Sequence, residues 1–83
     1  MEAQTRELAV PTKPKWAMLA DHIRGQIASG ELGPGDKLPS TSQLREEHGV
    51  SAGVVNHAMI VLKTEGLVEG VHGLGVFVVD PEE

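Results

Sequence analysis

The chain has 83 residues, no cysteine and a formal net charge of −5 at pH 7. The length suits one small domain, and the lack of cysteine excludes disulfide bonds, thiolate metal sites and a cysteine nucleophile. The net charge also excludes a strongly basic nucleic-acid-binding protein. The acidic excess lies mostly at the two ends, because residues 13–79 are nearly neutral, with six basic and seven acidic side chains. No apolar run reaches the roughly 18 residues of a membrane span, and the first residues lack a signal-peptide core. We therefore expect a cytoplasmic protein without membrane contact.

Composition divides the chain into a leader, a domain and a tail. Residues 1–13 contain few apolar side chains and lead into a proline-containing stretch, which predicts a disordered leader. Residues 14–79 carry the apolar periodicities of a folded domain, and residues 80–83 form an acidic tail.

The first element of the domain is a predicted helix that ends at Gly30. Its apolar residues recur at spacings of three and four, which places them on one helical face: Trp16, Leu19, Ala20, Ile23 and Ile27. The following Gly-Pro-Gly at residues 33–35 predicts a turn. Lys37 and Leu38 then predict a very short strand, limited by Pro39.

Two further helices are predicted on either side of a short turn. Ser40 and Gln43 have the spacing of a capping box, which predicts a short helix running through Leu44 to about His48. Gly49 stops that helix, and Ser51 is the N-cap candidate of a third helix from Ala52 to Glu65. The buried stripe of the third helix is predicted to comprise Val55, Ala58, Met59 and Leu62. Two helices joined in this way have the helix-turn-helix spacing.

The last predicted element is a β-hairpin. Leu67–Val68 and Val76–Val79 read as two strands, and the glycine-rich residues between them read as their connection. A hairpin that follows a helix-turn-helix is a wing. The sequence therefore predicts an α+β winged helix-turn-helix, with three helices and a small antiparallel β-wing.

Four segments of this domain resemble the DNA-binding domain of the GntR family of bacterial transcription regulators. They are IASGELGPGDKLPS at residues 27–40, HGVS at 48–51, LKTEGLV at 62–68 and GLGVFV at 73–78. The resemblance implies a transcription regulator that binds double-stranded DNA, with the recognition helix at about 52–65 in the major groove. The family's second, effector-binding domain does not fit within this length, so the sequence predicts no small-molecule effector.

Several positions depart from the family pattern. The family's arginines are replaced by Ala52 and Asn56 in the third helix and by Thr41–Gln43 in the second, and its basic wing residues by Val71, His72 and Leu74. Fewer cations neutralise fewer phosphates, so DNA binding by a single copy is expected to be weak. The predicted DNA contacts are Ser40, Thr41, Ser42, Ser51, Gly53, Val54, Asn56, His57, Lys63 and His72. The hydroxyl residues among them are also candidate helix caps, and Asn56 is a candidate adenine contact.

The exposed apolar side chains support an alternative hypothesis. In this alternative, the winged helix serves as a protein-interaction or self-association module with little or no DNA binding, through Val54, Ile60, Val71 and Leu74. Enzymatic activity is not expected, because the histidines show no metal-binding motif and no catalytic constellation can be inferred. We likewise expect no metal and no cofactor.

Overall fold

The computed structural model describes residues 13–80, which form three helices followed by one antiparallel hairpin. The helices and strands are α1 (Lys15–Ser29), α2 (Thr41–His48), α3 (Ala52–Thr64), β1 (Val68–Val71) and β2 (Gly75–Val78). This arrangement confirms the predicted α+β winged helix-turn-helix. The predicted disordered leader lies, apart from Lys13, outside the described residues, as do residues 81–83 of the predicted tail. Within residues 13–80, no helix is long and apolar enough to cross a membrane.

Serine caps begin both helices of the helix-turn-helix, as the sequence predicts. The Ser40 hydroxyl accepts from the Gln43 amide at 3.1 Å, and the Gln43 side chain accepts from the Ser40 amide at 2.8 Å, which completes the capping box. The Ser51 hydroxyl accepts from the Val54 amide at 3.2 Å. Each cap satisfies backbone donors that the first helical turn leaves without acceptors.

The core lies where α1 and α2 pack against α3 and the hairpin. It includes the predicted stripe of α3 and is completed by the other elements, so that the buried side chains are Leu19, Ala20, Ile23, Leu38, Leu44, Val55, Ala58, Met59, Leu62, Val68 and Val78. Burial of each large aliphatic side chain contributes about 1.5–3 kcal/mol. Trp16 and Ile27 at the two ends of α1 are only partly buried against this core.

The hairpin has a third, partial strand at the outer edge of β2. Lys37 forms an isolated bridge with Phe77, and the Leu38 amide donates to the Val76 carbonyl at 2.8 Å. The Val78 amide donates to the Asp36 carbonyl at 2.8 Å. The predicted Lys37–Leu38 strand is therefore confirmed as a short pairing segment, and β2 lies between it and β1.

Two predicted boundaries differ from the structure. The strands extend further into the glycine-rich connection, so that Val71 pairs with Gly75 and only residues 72–74 form the loop. The Leu74 amide donates to the Val71 carbonyl at 2.9 Å, and Gly73 has the positive φ of 79° that a type II turn requires. Helix α3 ends at Thr64, one residue before its predicted end, with Glu65 as the C-cap.

An ion-pair cluster joins α1 to the end of α3. The Arg24 guanidinium donates to both carboxylate oxygens of Glu65, at 2.8 Å from Nε and 2.5 Å from Nη2. Its third nitrogen, Nη1, donates to Asp21 at 2.5 Å, and Lys13 also pairs with Asp21. The hydrogen bond from Arg24 lowers the pKa of Glu65, and the hydrogen bond from Lys13 lowers the pKa of Asp21. Arg24 therefore connects two helices.

Candidate nucleic-acid interface

The outward face of α3 is exposed along its length. Gly53, Asn56 and Ile60 follow one another at spacings of three and four, so they share one face of the helix. This face lies opposite the buried stripe of α3, and the Ile60 side chain on it is 60% exposed. The structure therefore presents Gly53 and Asn56, two predicted DNA contacts, to solvent together with Ile60.

A groove of 680 Å³ separates α3 from the wing. Its walls come from the start of α2, the inner side of α3 and both strands of the hairpin. Among the lining residues are Lys37, Ser40, Thr41, Lys63, His72 and Leu74. Basic and hydroxyl side chains from three separate parts of the chain therefore line the groove.

Both lysines of the groove lie across glycines of the wing. A Cβ atom added to Gly70 would lie 3.3 Å from Lys63 Nζ, and one added to Gly75 would lie 2.9 Å from Lys37 Cε. The lack of a side chain at these two positions therefore gives the lysine side chains room. Lys63 was among the predicted contacts, whereas Lys37 was not. The sequence predicts a short strand at Lys37 and Leu38 without a partner for it, and the pairing of this segment with β2 is what places Lys37 at the groove.

The N-terminus of α2 borders the same groove. Ser40 and Thr41 line it, and the amides of the first helical turn carry a partial positive charge that favours anions. Ser42 instead lines a separate shallow depression with Arg45 and Gly49. The structure therefore brings Ser40 and Thr41, but not Ser42, to the groove, while Ser51 caps α3 and is exposed at its start.

Two predicted contacts on α3 are placed differently from Asn56. The His57 ring stacks on the Trp16 indole of α1, with centroids 4.2 Å apart and 18° between the planes. Val54, which was predicted to be exposed, is half-buried. Val54 lies one helical turn before the buried Ala58, and side chains spaced by four residues share a face. Val54 therefore borders the core.

The wing exposes apolar side chains at its turn. Leu74 is 61% exposed and Val71 is 38% exposed, and His72 between them is also exposed. Of the four apolar residues in the protein-contact hypothesis, Ile60, Val71 and Leu74 are thus exposed, whereas Val54 is half-buried. Within residues 13–80, no group of three or more histidine, aspartate or glutamate side chains could hold a metal ion.

The chain matches one family model, described as bacterial regulatory proteins of the gntR family, over residues 16–78. It is 46% identical over 66 residues to the mannosyl-D-glycerate transport/metabolism system repressor MngR of Escherichia coli K12. The aligned region covers 80% of this chain and 28% of MngR. It is 35% identical over 69 residues to the repressor NagR of Bacillus subtilis 168, with coverage of 83% and 28%. The chain therefore spans only about a quarter of the length of these curated relatives.

Solved structures show the same fold. The DNA-binding domain of AraR in complex with its operator ORR3 superposes with a TM-score of 0.80 at 32% identity, over 83% of each chain. YtrA of Sulfolobus acidocaldarius, a GntR-family transcription factor, superposes with a TM-score of 0.77 at 38% identity, over 87% of this chain and 76% of that one.

Proposed function

Because this chain belongs to the gntR family and has the DNA-binding domain of its transcriptional regulators, we propose that residues 13–80 bind double-stranded DNA through α3 and the groove beside it. The groove is the observation that carries the proposal. Lys37 and Lys63 supply cations there, and the N-terminus of α2 supplies hydroxyl and amide donors. Such groups contact phosphate oxygens in protein–DNA interfaces, and these contacts position a recognition helix.

We assign different roles to the two sides of α3. Lys63 on the groove side of α3 and Lys37 beside the wing contact the DNA backbone, while Asn56 faces the bases of the major groove. Ser40 and Thr41 approach a phosphate from the start of α2, and Ser51 does so from the start of α3. His72 lies at the tip of the wing, where it can reach the adjacent minor groove of the DNA. Val54 and His57 contact protein in this arrangement and flank the interface.

Binding by a single copy is proposed to be weak. Of the six basic side chains in residues 13–79, only Lys37 and Lys63 line the groove, and Arg24 is paired with two carboxylates. Because affinity grows with the number of phosphates neutralised, two groove lysines supply only a small electrostatic contribution. A regulator that binds chromosomal DNA works in the cytoplasm, where we place this chain, and we propose no enzymatic activity.

The protein-contact hypothesis is not favoured by the relatives. Those named above are repressors, a transcription factor and a DNA-binding domain bound to its operator. The exposed apolar residues Ile60, Val71 and Leu74 are compatible with DNA, because base edges and sugars also offer apolar surface.

The test is an amide NMR titration of the full chain with mixed-sequence duplex DNA, at low salt and then at physiological ionic strength. We expect shifts in residues 40–41 and 51–60 and in the wing, and we expect them to fade as salt rises. The absence of shifts at low salt would contradict DNA binding.

Lysine variants test the groove itself. Lys37→Ala and Lys63→Ala should each reduce the slope of log affinity against log salt by about one, because each removes one phosphate contact. Lys15→Ala removes the same charge from the start of α1, where the side chain lines a different depression, and should leave the slope unchanged. Equal effects of all three substitutions would indicate a general charge effect and would contradict the groove assignment.

A further inference from the structure

Gly53 has no structural role that would explain a glycine in a helix. It lies in the first turn of α3, and its φ is not among the positive values of the described glycines. A Cβ atom at this position would meet only Ser51 Oγ, at 3.8 Å, which is ordinary van der Waals contact. A glycine inside a helix lowers folding stability relative to alanine, so the fold gains nothing from this residue. What glycine does provide is a bare backbone that another molecule can approach closely.

Asn56 and Ile60 continue the same strip of α3. The three residues share the exposed face. His57 also lies within one turn of Gly53 and Ile60, but its ring is stacked on Trp16. Lys63, seven residues after Asn56, extends toward Gly70 of the wing. The strip therefore presents bare backbone, one carboxamide and one branched alkyl group. It offers neither the paired cationic donors that read guanine nor the carboxylate that accepts from cytosine.

The chemistry of this strip matches one kind of base pair. A carboxamide has one acceptor and two donors, which fit the N6 amine and N7 of adenine bidentately. A branched alkyl group contacts the C5 methyl of thymine, the apolar feature of the major groove. We propose that the strip formed by Gly53, Asn56 and Ile60 selects A·T base pairs, with Asn56 on adenine and Ile60 on a thymine methyl; this selectivity rests on the proposed DNA binding.

Helix geometry limits how far apart the two contacts fall. Residues four apart are separated by about 6 Å along an α-helix axis, and successive bases along a strand by about 3.4 Å. Asn56 and Ile60 therefore address positions one or two base pairs apart. Gly53, one turn before Asn56, lets the start of α3 lie deep enough in the major groove of the DNA for the short Asn56 side chain to reach a base edge.

The experiment begins with selection of binding sites by the full chain, at low salt, from a duplex pool with a randomised centre. We expect the selected duplexes to share adjacent A·T pairs, since exchange of the Asn56-contacted pair for G·C should weaken binding roughly tenfold or more. The thymines of a selected duplex are then replaced by uracil one at a time, and each replacement removes only the C5 methyl. Replacement of the thymine that contacts Ile60 should weaken binding about fourfold, as expected for loss of one buried methyl group.

Ile60→Ala identifies the side chain that reads the methyl. In this variant, thymine and uracil duplexes should bind equally. Met18→Ala provides the matched control, because Met18 is 57% exposed and Ile60 60% exposed, but Met18 lies on α1, away from the proposed interface. The thymine preference should persist in the Met18→Ala variant.

The outcomes separate the two proposals. If no duplex of the pool binds even at low salt, DNA binding itself is wrong, and the A·T preference is wrong with it. If duplexes bind but are selected without regard to A·T content, the A·T preference is wrong while the proposed function stands. If uracil replacement has no effect, the thymine-methyl contact is wrong while the proposed function stands. A thymine preference that survives Ile60→Ala would equally overturn the assignment to Ile60.

Discussion

The imidazole of His57 on α3 stacks on the indole of Trp16 on α1, with ring centroids 4.2 Å apart. This pair connects the recognition helix to the first helix outside the buried core, since His57 is exposed and Trp16 only half-buried. His57 immediately follows Asn56, but the next position along a helix points about 100° away. Of these two neighbouring polar residues, His57 therefore packs on an aromatic ring of the protein itself, and Asn56 faces solvent.

Replacement of His57 by alanine should act on stability more than on DNA affinity. Loss of the stack should lower the free energy of unfolding by about 0.5–1.5 kcal/mol, the typical contribution of an aromatic pair. Trp16 is the only tryptophan, so urea unfolding followed by its fluorescence measures the change directly. Asn56→Ala, a neighbouring exposed substitution, should leave the free energy of unfolding within about 0.5 kcal/mol. If Asn56→Ala destabilised the domain as much as His57→Ala, the stack would not be the cause.

Two glycine substitutions separate stability from DNA binding. Gly53→Ala and Gly25→Ala both introduce alanine into a helix where the new Cβ meets nothing closer than 3.8 Å. Gly25→Ala should therefore raise the free energy of unfolding by about 0.8–1 kcal/mol, and Gly53→Ala, in the first turn of α3, by a smaller amount. Only Gly53→Ala should weaken duplex binding, because Gly25 lies on α1, away from the proposed interface. Binding by the Gly53→Ala variant that equals that of the unchanged chain would show that close backbone approach is not required.

Gly75→Ala should disrupt the wing. Gly75 has a φ of 129°, and a Cβ there would lie 2.9 Å from Lys37 Cε. The backbone strain alone should cost about 1–3 kcal/mol, and Lys37 must also move. Gly70→Ala is the comparison, because its φ is not positive and its new Cβ would be 3.3 Å from the mobile end of Lys63. Thermal unfolding should show a clear loss for Gly75→Ala and a smaller one for Gly70→Ala; the reverse order would contradict this explanation.

Acid should weaken the connection between α1 and α3. Arg24 holds the pKa of Glu65 below its ordinary value of 4.5, and Lys13 followed by Arg24 holds the pKa of Asp21 below 3.8. A carboxyl group whose pKa is lowered by folding contributes stability above its ordinary pKa, and this contribution disappears as the pH falls through the folded-state pKa. The contribution of Glu65 should therefore be complete at neutral pH and lost below 4.5.

Glu65→Gln tests this pH dependence. Its urea midpoint should lie below that of the unchanged chain at pH 7, and the two midpoints should converge in acid. Glu46→Gln makes the same charge change at an exposed position of α2 and should show a smaller difference at pH 7. A constant difference between Glu65→Gln and the unchanged chain at every pH would exclude titration of Glu65 as the origin.

Local signals in the sequence predicted most of the fold. Ser40 and Ser51 act on amides only three residues away, and the apolar stripe of α3 follows from helical periodicity. The ends of the strands were missed because Gly70 and Gly75 lack the β-branched side chains by which strands are recognised. Their strand conformation depends on pairing across the hairpin, which a residue-by-residue pattern does not contain.

The candidate site was less predictable, for a related reason. Asn56 and Lys63 could be placed from helical geometry, but Lys37 lies about 38 residues from Gly75 in sequence, and only folding brings them together. The partial burial of Val54 and the stack of His57 depend in the same way on how α1 packs against α3. Positions set by one element were thus predictable, whereas positions set by the contact of two elements were not.

The central place of β2 has a consequence for self-assembly of the chain. Apolar strands with free backbone groups at an edge can recruit the same strand of another molecule and start aggregation. Here the most apolar strand, with Val76, Phe77 and Val78, is paired on one side with β1 and on the other with residues 35–38. The outer strand β1 instead carries Glu69, a charged residue, and Gly70, a poor strand former, which discourage such recruitment. The segment at residues 35–38 therefore protects the domain against intermolecular β-pairing.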